Sequence, residues 1–189
     1  TCGEGGMLTT IDVELYSRAL HLIYHAMSPT QKYWHTEVGY NYRMTNLQAA
    51  LGFAQTKRID SFLKKKQAIF DQYQYDLSRY SGLKLNRTAA GYQNVFWQIC
   101  LEVDNWTARE RDQFMQSLAE CGVESRPYFY PLSDMPMYRD GCVHPTPISH
   151  QVSQQGLNLP SYFDMSHQDV TDVCLAVKDC LSLSKFVCN

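Results

Sequence analysis

With 189 residues, 44% hydrophobic and 19% charged, the chain holds enough material for one sizeable core, or for one domain and part of another. A formal net charge of −2 provides no general field for nucleic acid or an anionic membrane surface, so neither is expected as a partner. No apolar run approaches the roughly 18 residues that span a bilayer, and the N-terminal residues lack the charged-then-apolar layout of a secretory signal.

Residues 6–10 read as the end of a strand. From Val13 to Met27, apolar Leu15, Ala19, Leu22, Ile23 and Ala26 recur at helical spacing, with Asp12 as the cap. Residues 28–44 have no clear period and are rich in Tyr, Trp, His and Gly, the composition of an ordered functional loop. Thr45 followed by Gln48 is a capping box, and the helix it opens is expected to bury Leu47, Ala50, Leu51 and Ala54. That helix is expected to continue, with a bend, through Ile59, Phe62, Leu63, Ile69, Phe70 and Tyr73, with Lys64-Lys65-Lys66 on its solvated face.

From Ser81 the pattern changes to short elements. Val95 to Val103 reads as a strand. Thr107 and Glu110 form a second capping box, for a helix that buries Phe114, Leu118 and Ala119 and stops at Gly122. Val123 to Arg126 predicts a short strand ending at Pro127. Ile148 to Gln155 predicts a short helix ended by Gly156, and Leu157-Asn158-Leu159-Pro160 a short edge strand. Ser166 with Asp169 caps a last helix whose stripe is Val170, Val173, Cys174, Val177 and Leu181. The order implies a mixed α/β chain of the α+β type, a small sheet covered by helices on one side.

The seven cysteines contain no Cys-x-x-Cys pair, and an odd, scattered set suits reduced thiols in a cytoplasm. Cys142 and His144 are close, but no second ligand pair follows at zinc spacing, so they read as loop residues and no metal site is expected.

Chemistry concentrates at Gly39-Tyr40-Asn41-Tyr42-Arg43-Met44-Thr45. A helix N-terminus offers unpaired N–H donors and a partial positive charge. Asn41 can add amide donors there, and Arg43 can grip an oxyanion with two parallel hydrogen bonds. The competing reading is a capped helix with its arginine in solvent. Gly3-Glu4-Gly5-Gly6 alone is a weak phosphate-loop signal, lacking a following Lys-Ser/Thr.

The run Met27-Ser28-Pro29-Thr30-Gln31-Lys32-Tyr33-Trp34-His35, then Glu37 to Gly52, closely resembles pyridoxal-phosphate (PLP) dependent sugar aminotransferases of the DegT/DnrJ/StrS family, and in particular members similar to GDP-perosamine synthases. Thr1-Cys2-Gly3-Glu4-Gly5-Gly6-Met7-Leu8-Thr9-Thr10 resembles the family segment just after its cofactor-anchoring lysine. Arg126-Pro127-Tyr128-Phe129-Tyr130-Pro131-Leu132-Ser133-Asp134-Met135-Pro136-Met137-Tyr138 and Asn158-Leu159-Pro160-Ser161 are further family-like blocks.

The resemblance implies the C-terminal portion of a fold-type I PLP-dependent transferase. Residues 1–58 would be a helical remnant of the large PLP-binding domain, and 59–189 the small C-terminal domain with its connecting helix. It implies that Asn41 reaches the cofactor phosphate bound by another subunit, and that Arg43 lies on the substrate side. Tyr130 and Ser133 would face the nucleotide sugar, with Ser133 departing from the histidine usual there. For Asn41 the alternative is a turn-stabilising residue, and for Arg43 an ion pair with Glu37. Tyr128, Phe129 and Tyr130 could equally be aromatic core under a proline-rich turn. His35 reads as a hydrogen-bonded loop histidine.

None of the chain's lysines stands before Gly3, so no catalytic residue is assigned and this chain alone is not expected to bind PLP or transaminate. The expected function is the C-terminal part of a PLP-dependent nucleotide-sugar (keto-deoxyhexose) aminotransferase. The alternatives are a stand-alone, non-catalytic relative that self-associates or binds nucleotide sugar, and a chain that acts with a lysine-bearing N-terminal half or an intact relative. A homo-oligomer is expected.

Overall fold

The computed structural model describes residues 1–141 and 145–183; Cys142, His144 and Cys188 lie outside them. The described fold divides into two compact units, Thr1–Asp60 and the part from Ser61 onward.

In the first unit, α1 (Val13–Ile23) starts where the Asp12 carboxylate accepts the N–H groups of Glu14 and Leu15, at 2.9 and 3.1 Å. It stops four residues before the expected end. His25 and Ala26 turn into the left-handed region, with φ of 64° and 49°. The His25 N–H donates to the Tyr40 carbonyl at 3.0 Å, and the Tyr40 N–H to the Leu22 carbonyl at 2.8 Å. The returning segment thus offers the backbone partners that a longer helix would have used, which offset the strain of two left-handed non-glycine residues. Gly39 makes this approach feasible: a Cβ there would lie 2.3 Å from the Ala26 nitrogen and the His25 carbonyl carbon. Two isolated bridges, Tyr24 to Asn41 and Met27 to His35, tie the loop of 28–44 to the same corner.

The second helix, α2 (Asn46–Thr56), has the expected capping box, with the Gln48 N–H donating to the Thr45 hydroxyl at 3.3 Å and the Thr45 N–H to the Gln48 side-chain oxygen at 3.0 Å. Its apolar stripe is not buried: Leu47 is 80% and Leu51 56% exposed. Neither α1 nor α2 contains a buried residue. Residues 6–10 form no strand, because a strand needs a neighbouring backbone for its N–H and C=O groups and the described residues of this unit provide only isolated bridges. The expected bend after α2 is a full break: the helix ends at Thr56 and α3 (Ile59–Leu77) starts after a turn in which the Arg58 N–H donates to the Gln55 carbonyl at 2.8 Å.

The second unit is an antiparallel sheet of β1 (Leu83–Leu85), β2 (Ile99–Val103), β3 (Arg126–Pro127) and β4 (Gly156–Leu159), in the order β1-β2-β4-β3. With α3 go α4 (Ala108–Glu120), α5 (Pro147–Gln155) and α6 (His167–Leu183). Strand β2 alternates as its sequence dictates, with Ile99, Leu101 and Val103 in the core and Cys100 and Glu102 on the opposite face. It starts at Ile99, not Val95, since Phe96 adopts φ 48° and breaks the extended run. Strand β4 is central instead of an edge: it pairs with both β2 and β3, and all four of its residues are buried.

The core is formed by Ile69, Tyr73 and Leu77 of α3, Phe114 and Leu118 of α4, the inward residues of β2 and β4, and the expected stripe of α6. The Tyr73 hydroxyl donates to the Pro160 carbonyl at 3.0 Å. The second expected capping box, Thr107 with Glu110, and the expected cap of Ser166 with Asp169 are formed. Gly122, at φ 80°, closes α4: its N–H reaches Ala119 and the Val123 N–H reaches Leu118, both at 2.9 Å. Ala119 itself is exposed. Arg111, missed in the sequence, is 2% exposed within α4 and donates to the Asp112 carboxylate and the Ser153 carbonyl, fastening α5.

Candidate cofactor and substrate site

The first unit carries a cleft of about 950 Å3, walled by Glu4–Leu8, the apolar face of α1, the segment Tyr40–Met44 and Gln48. Asn41 and Arg43 both line it. Asn41 is held by its bridge to Tyr24, and the Arg43 guanidinium lies over the Tyr24 ring, 4.2 Å from the centroid. Tyr40 and Tyr42 stack at 5.0 Å.

Arg43 does not pair with Glu37. That carboxylate is held by Arg18, with His21 Nε2 at 3.4 Å, and the Arg18 hydrogen bond keeps it below its ordinary range. The stack on Tyr24 is satisfied by the flat face of the guanidinium alone and leaves its N–H edge for an anion. The capping box uses the Thr45 and Gln48 N–H groups, leaving those of Asn46 and Leu47 without a partner inside the helix. The Asn41 amide and the Arg43 guanidinium therefore give this cleft a donor set suited to a phosphate or carboxylate, with Gln48 of the first turn of α2 also on its wall. No lysine is among the residues lining this cleft. The donor set fits the phosphate of a cofactor such as PLP; the amine that would anchor it is not supplied here.

His35 stays outside this set, its Nδ1–H donating to the His25 carbonyl at 2.7 Å.

In the second unit a cleft of about 370 Å3 opens on the outward face of the sheet, between Cys100 and Asn158 on the strands, Tyr128 and Tyr130, and Ser153 of α5. The Tyr128 ring lies flat on Gly156, where a Cβ would sit 2.2 Å from two ring carbons. Burial raises the Tyr128 phenol and the Cys100 thiol above their ordinary values, so both stay protonated. Phe129 and Tyr130 are exposed and Tyr128 is half-buried outside the core, so the triplet does not form aromatic core. Ser133 is not brought to this cleft; its hydroxyl pairs with that of Thr146 at 3.0 Å. Cys100 was missed in the sequence, although the two-residue period of Ile99, Leu101 and Val103 points it to this face, and Asn158 is its cross-strand partner on β4. No cluster of three or more His, Cys, Asp or Glu side chains among the described residues is arranged to hold a metal.

Comparison with known proteins identifies the family. Residues 1–178 match the DegT/DnrJ/EryC1/StrS aminotransferase family, and the chain belongs to it.

Among relatives, it is 35% identical to the GDP-perosamine synthase of Escherichia coli O157:H7, covering 95% of this chain and 48% of that protein. The GDP-perosamine synthase of Vibrio cholerae is 33% identical, over 95% and 49%. The crystal structure of the aminotransferase TlmJ from Streptoalloteichus hindustanus superimposes with a TM-score of 0.84 at 26% identity, over 96% of this chain and 49% of that one. The PLP form of the sugar aminotransferase Spr1654 from Streptococcus pneumoniae shares the fold, with a TM-score of 0.81 at 21% identity and 92% and 45% coverage. The chain thus spans about half the length of the relatives it matches.

Proposed function

We propose that this chain provides the C-terminal part of a PLP-dependent nucleotide-sugar aminotransferase, with a GDP-4-keto-6-deoxyhexose as the substrate class and glutamate as amino donor. The observation that carries this reading is the grouping of Asn41, Arg43 and Gln48 of the first turn of α2 in one cleft with Glu4, Gly5 and Gly6. When bound, PLP supplies an electron sink for the substrate carbon that exchanges its amino group. Asn41 would hold the cofactor phosphate of a neighbouring subunit, and Arg43 would orient an anionic group of the substrate. Tyr130, and Ser133 through its loop, would border the nucleotide sugar. Residues 1–58 would belong to the PLP-binding domain and 59–189 to the small domain.

The lysine-bearing half, on the same polypeptide or another, is a partner in this reading. Its test is co-expression of this chain with the N-terminal half of a GDP-perosamine synthase. The expected result is a complex with cofactor absorbance and amino transfer, and Arg43→Ala should raise KM at least about tenfold. A stable complex without amino transfer would refute the proposal.

A second reading, a self-associating, non-catalytic relative, is favoured by the exposed apolar side chains of α1 and α2, Leu15, Leu47, Leu51 and Phe53 among them. It predicts a homo-oligomer in sedimentation at about tens of micromolar, where weak interfaces become visible; a compact monomer would count against it. No helix among the described residues is long and apolar enough to cross a membrane. The cytoplasm as location is part of the proposal, motivated by the odd, scattered cysteine set without a Cys-x-x-Cys pair.

A further inference from the structure

Cys121, the C-terminal cap of α4, and Cys180, in α6, are 59 residues apart in sequence, and their sulfurs lie 3.9 Å apart. Cys121 is exposed while Cys180 is buried. A disulfide needs about 2.05 Å between sulfurs, so about 1.9 Å must close, and Cys121 is exposed at a helix end. Cys121 also lines a cleft of about 290 Å3 with Gly122, Glu124, Tyr162, Asp169 and Asp172. That mouth carries three carboxylates and no basic side chain among its lining residues.

We propose that Cys121 and Cys180 form a reversible dithiol–disulfide modification site, entered through this acidic cleft by small cationic disulfides. The Cys121 thiolate attacks one sulfur of the incoming disulfide, its S–S bond breaks, and one thiol leaves, taking a proton from water. Cys180 then gives up its proton to solvent, and its thiolate attacks the Cys121 sulfur, displacing the second thiol. Two protein thiols are oxidised and one small disulfide is reduced to two thiols. Burial first, then the hydrogen bond and charge of Cys121 and the carboxylates of Asp179 and Glu120, push the Cys180 thiol up to about 11. Cys121, exposed and lining the cleft, is the attacking thiol, and buried Cys180 the resolving one. The carboxylates at the mouth favour a dication such as cystamine over an anion such as oxidised glutathione.

The test uses the whole chain, treated at low ionic strength with cystamine or with oxidised glutathione and followed by intact mass and by peptide mapping without reductant. The expected product has lost two hydrogens, contains a Cys121–Cys180 peptide pair and reverts with dithiothreitol. Cystamine should react about tenfold faster or more, an advantage that salt removes. Cys180→Ser should stop at a stable cysteamine adduct on Cys121, and Cys2→Ser should leave the Cys121–Cys180 product unchanged. A permanent adduct on Cys121 in the unsubstituted chain, or a cross-link from Cys121 to another cysteine, would overturn the assignment without any variant. Equal rates with the two disulfides would overturn the cleft as the route of entry.

Discussion

Gly156→Ala isolates a single steric contact. At φ −110° the backbone of Gly156 suits any residue, so no conformational strain enters. The new methyl would sit 2.2 Å from two carbons of the Tyr128 ring, against about 3.5–4.0 Å for a relaxed carbon contact. The ring must therefore withdraw by roughly 1.5 Å, but the Tyr128 N–H is bonded to the Gly156 carbonyl at 3.0 Å, which holds the two backbones together. Gly156 is itself paired to Glu102 in a central strand and cannot move away. Overpacking costs about 1–3 kcal/mol, and a rigid ring against a paired strand places this case near 3. For a chain of this size that is a loss of about 6–12 °C in Tm. Urea and thermal unfolding, followed by the near-ultraviolet signal of buried Trp106, measure it. With Tyr128→Ala already present, the same substitution should cost less than about 0.5 kcal/mol. An equal cost in both backgrounds would refute the steric argument.

Arg111→Ala should destabilise the second unit by about 3 kcal/mol, since it removes a charged hydrogen bond and leaves the buried Ser153 carbonyl without its donor; Arg111→Lys should recover little of this in a denaturant titration. Glu110 is held below the ordinary carboxylate range by the Thr107 N–H and hydroxyl. A depressed folded-state value gives stability that is present above the unfolded pKa of about 4.5 and is lost as pH falls through the folded one. Glu110→Gln, which can still cap, should therefore flatten the fall of Tm below about pH 4.5, and an unchanged acid limb would contradict the assignment. Gly39→Ala puts a Cβ 2.3 Å from the backbone of His25 and Ala26, atoms that cannot rotate aside. It should detach the Tyr40–Arg43 segment from α1, visible as faster amide exchange at Tyr40 and loss of anion binding at Arg43, while the second unit keeps its Tm.

Helix starts were legible because a cap is written within four residues. Asp12, Thr45, Thr107 and Ser166 each accept the backbone N–H groups their spacing predicts. The stop at Gly122 was legible for the same reason. The stop at Ile23 was not: no glycine or proline marks it, and the left-handed His25 and Ala26 are held by hydrogen bonds to a segment that returns some fifteen residues later. The grouping of Asn41 with Arg43 followed from their adjacency to a capped helix, but the partner of Arg43 did not. Glu37 was taken by Arg18 of α1, and the ring of Tyr24 at the end of that helix received the guanidinium instead.

The amino-acid sequence by itself determined the family, the mixed α+β class and the caps that start the helices, because these are properties of short runs of residues and their neighbours a few positions away. Tertiary structure alone decided that β4 is central, that the stripe of α2 lies open, that Arg111 is buried and that Cys121 meets Cys180. Each of these depends on which backbone or side chain arrives from a distant part of the chain to satisfy a hydrogen bond or cover an apolar face, and no local pattern records that arrival.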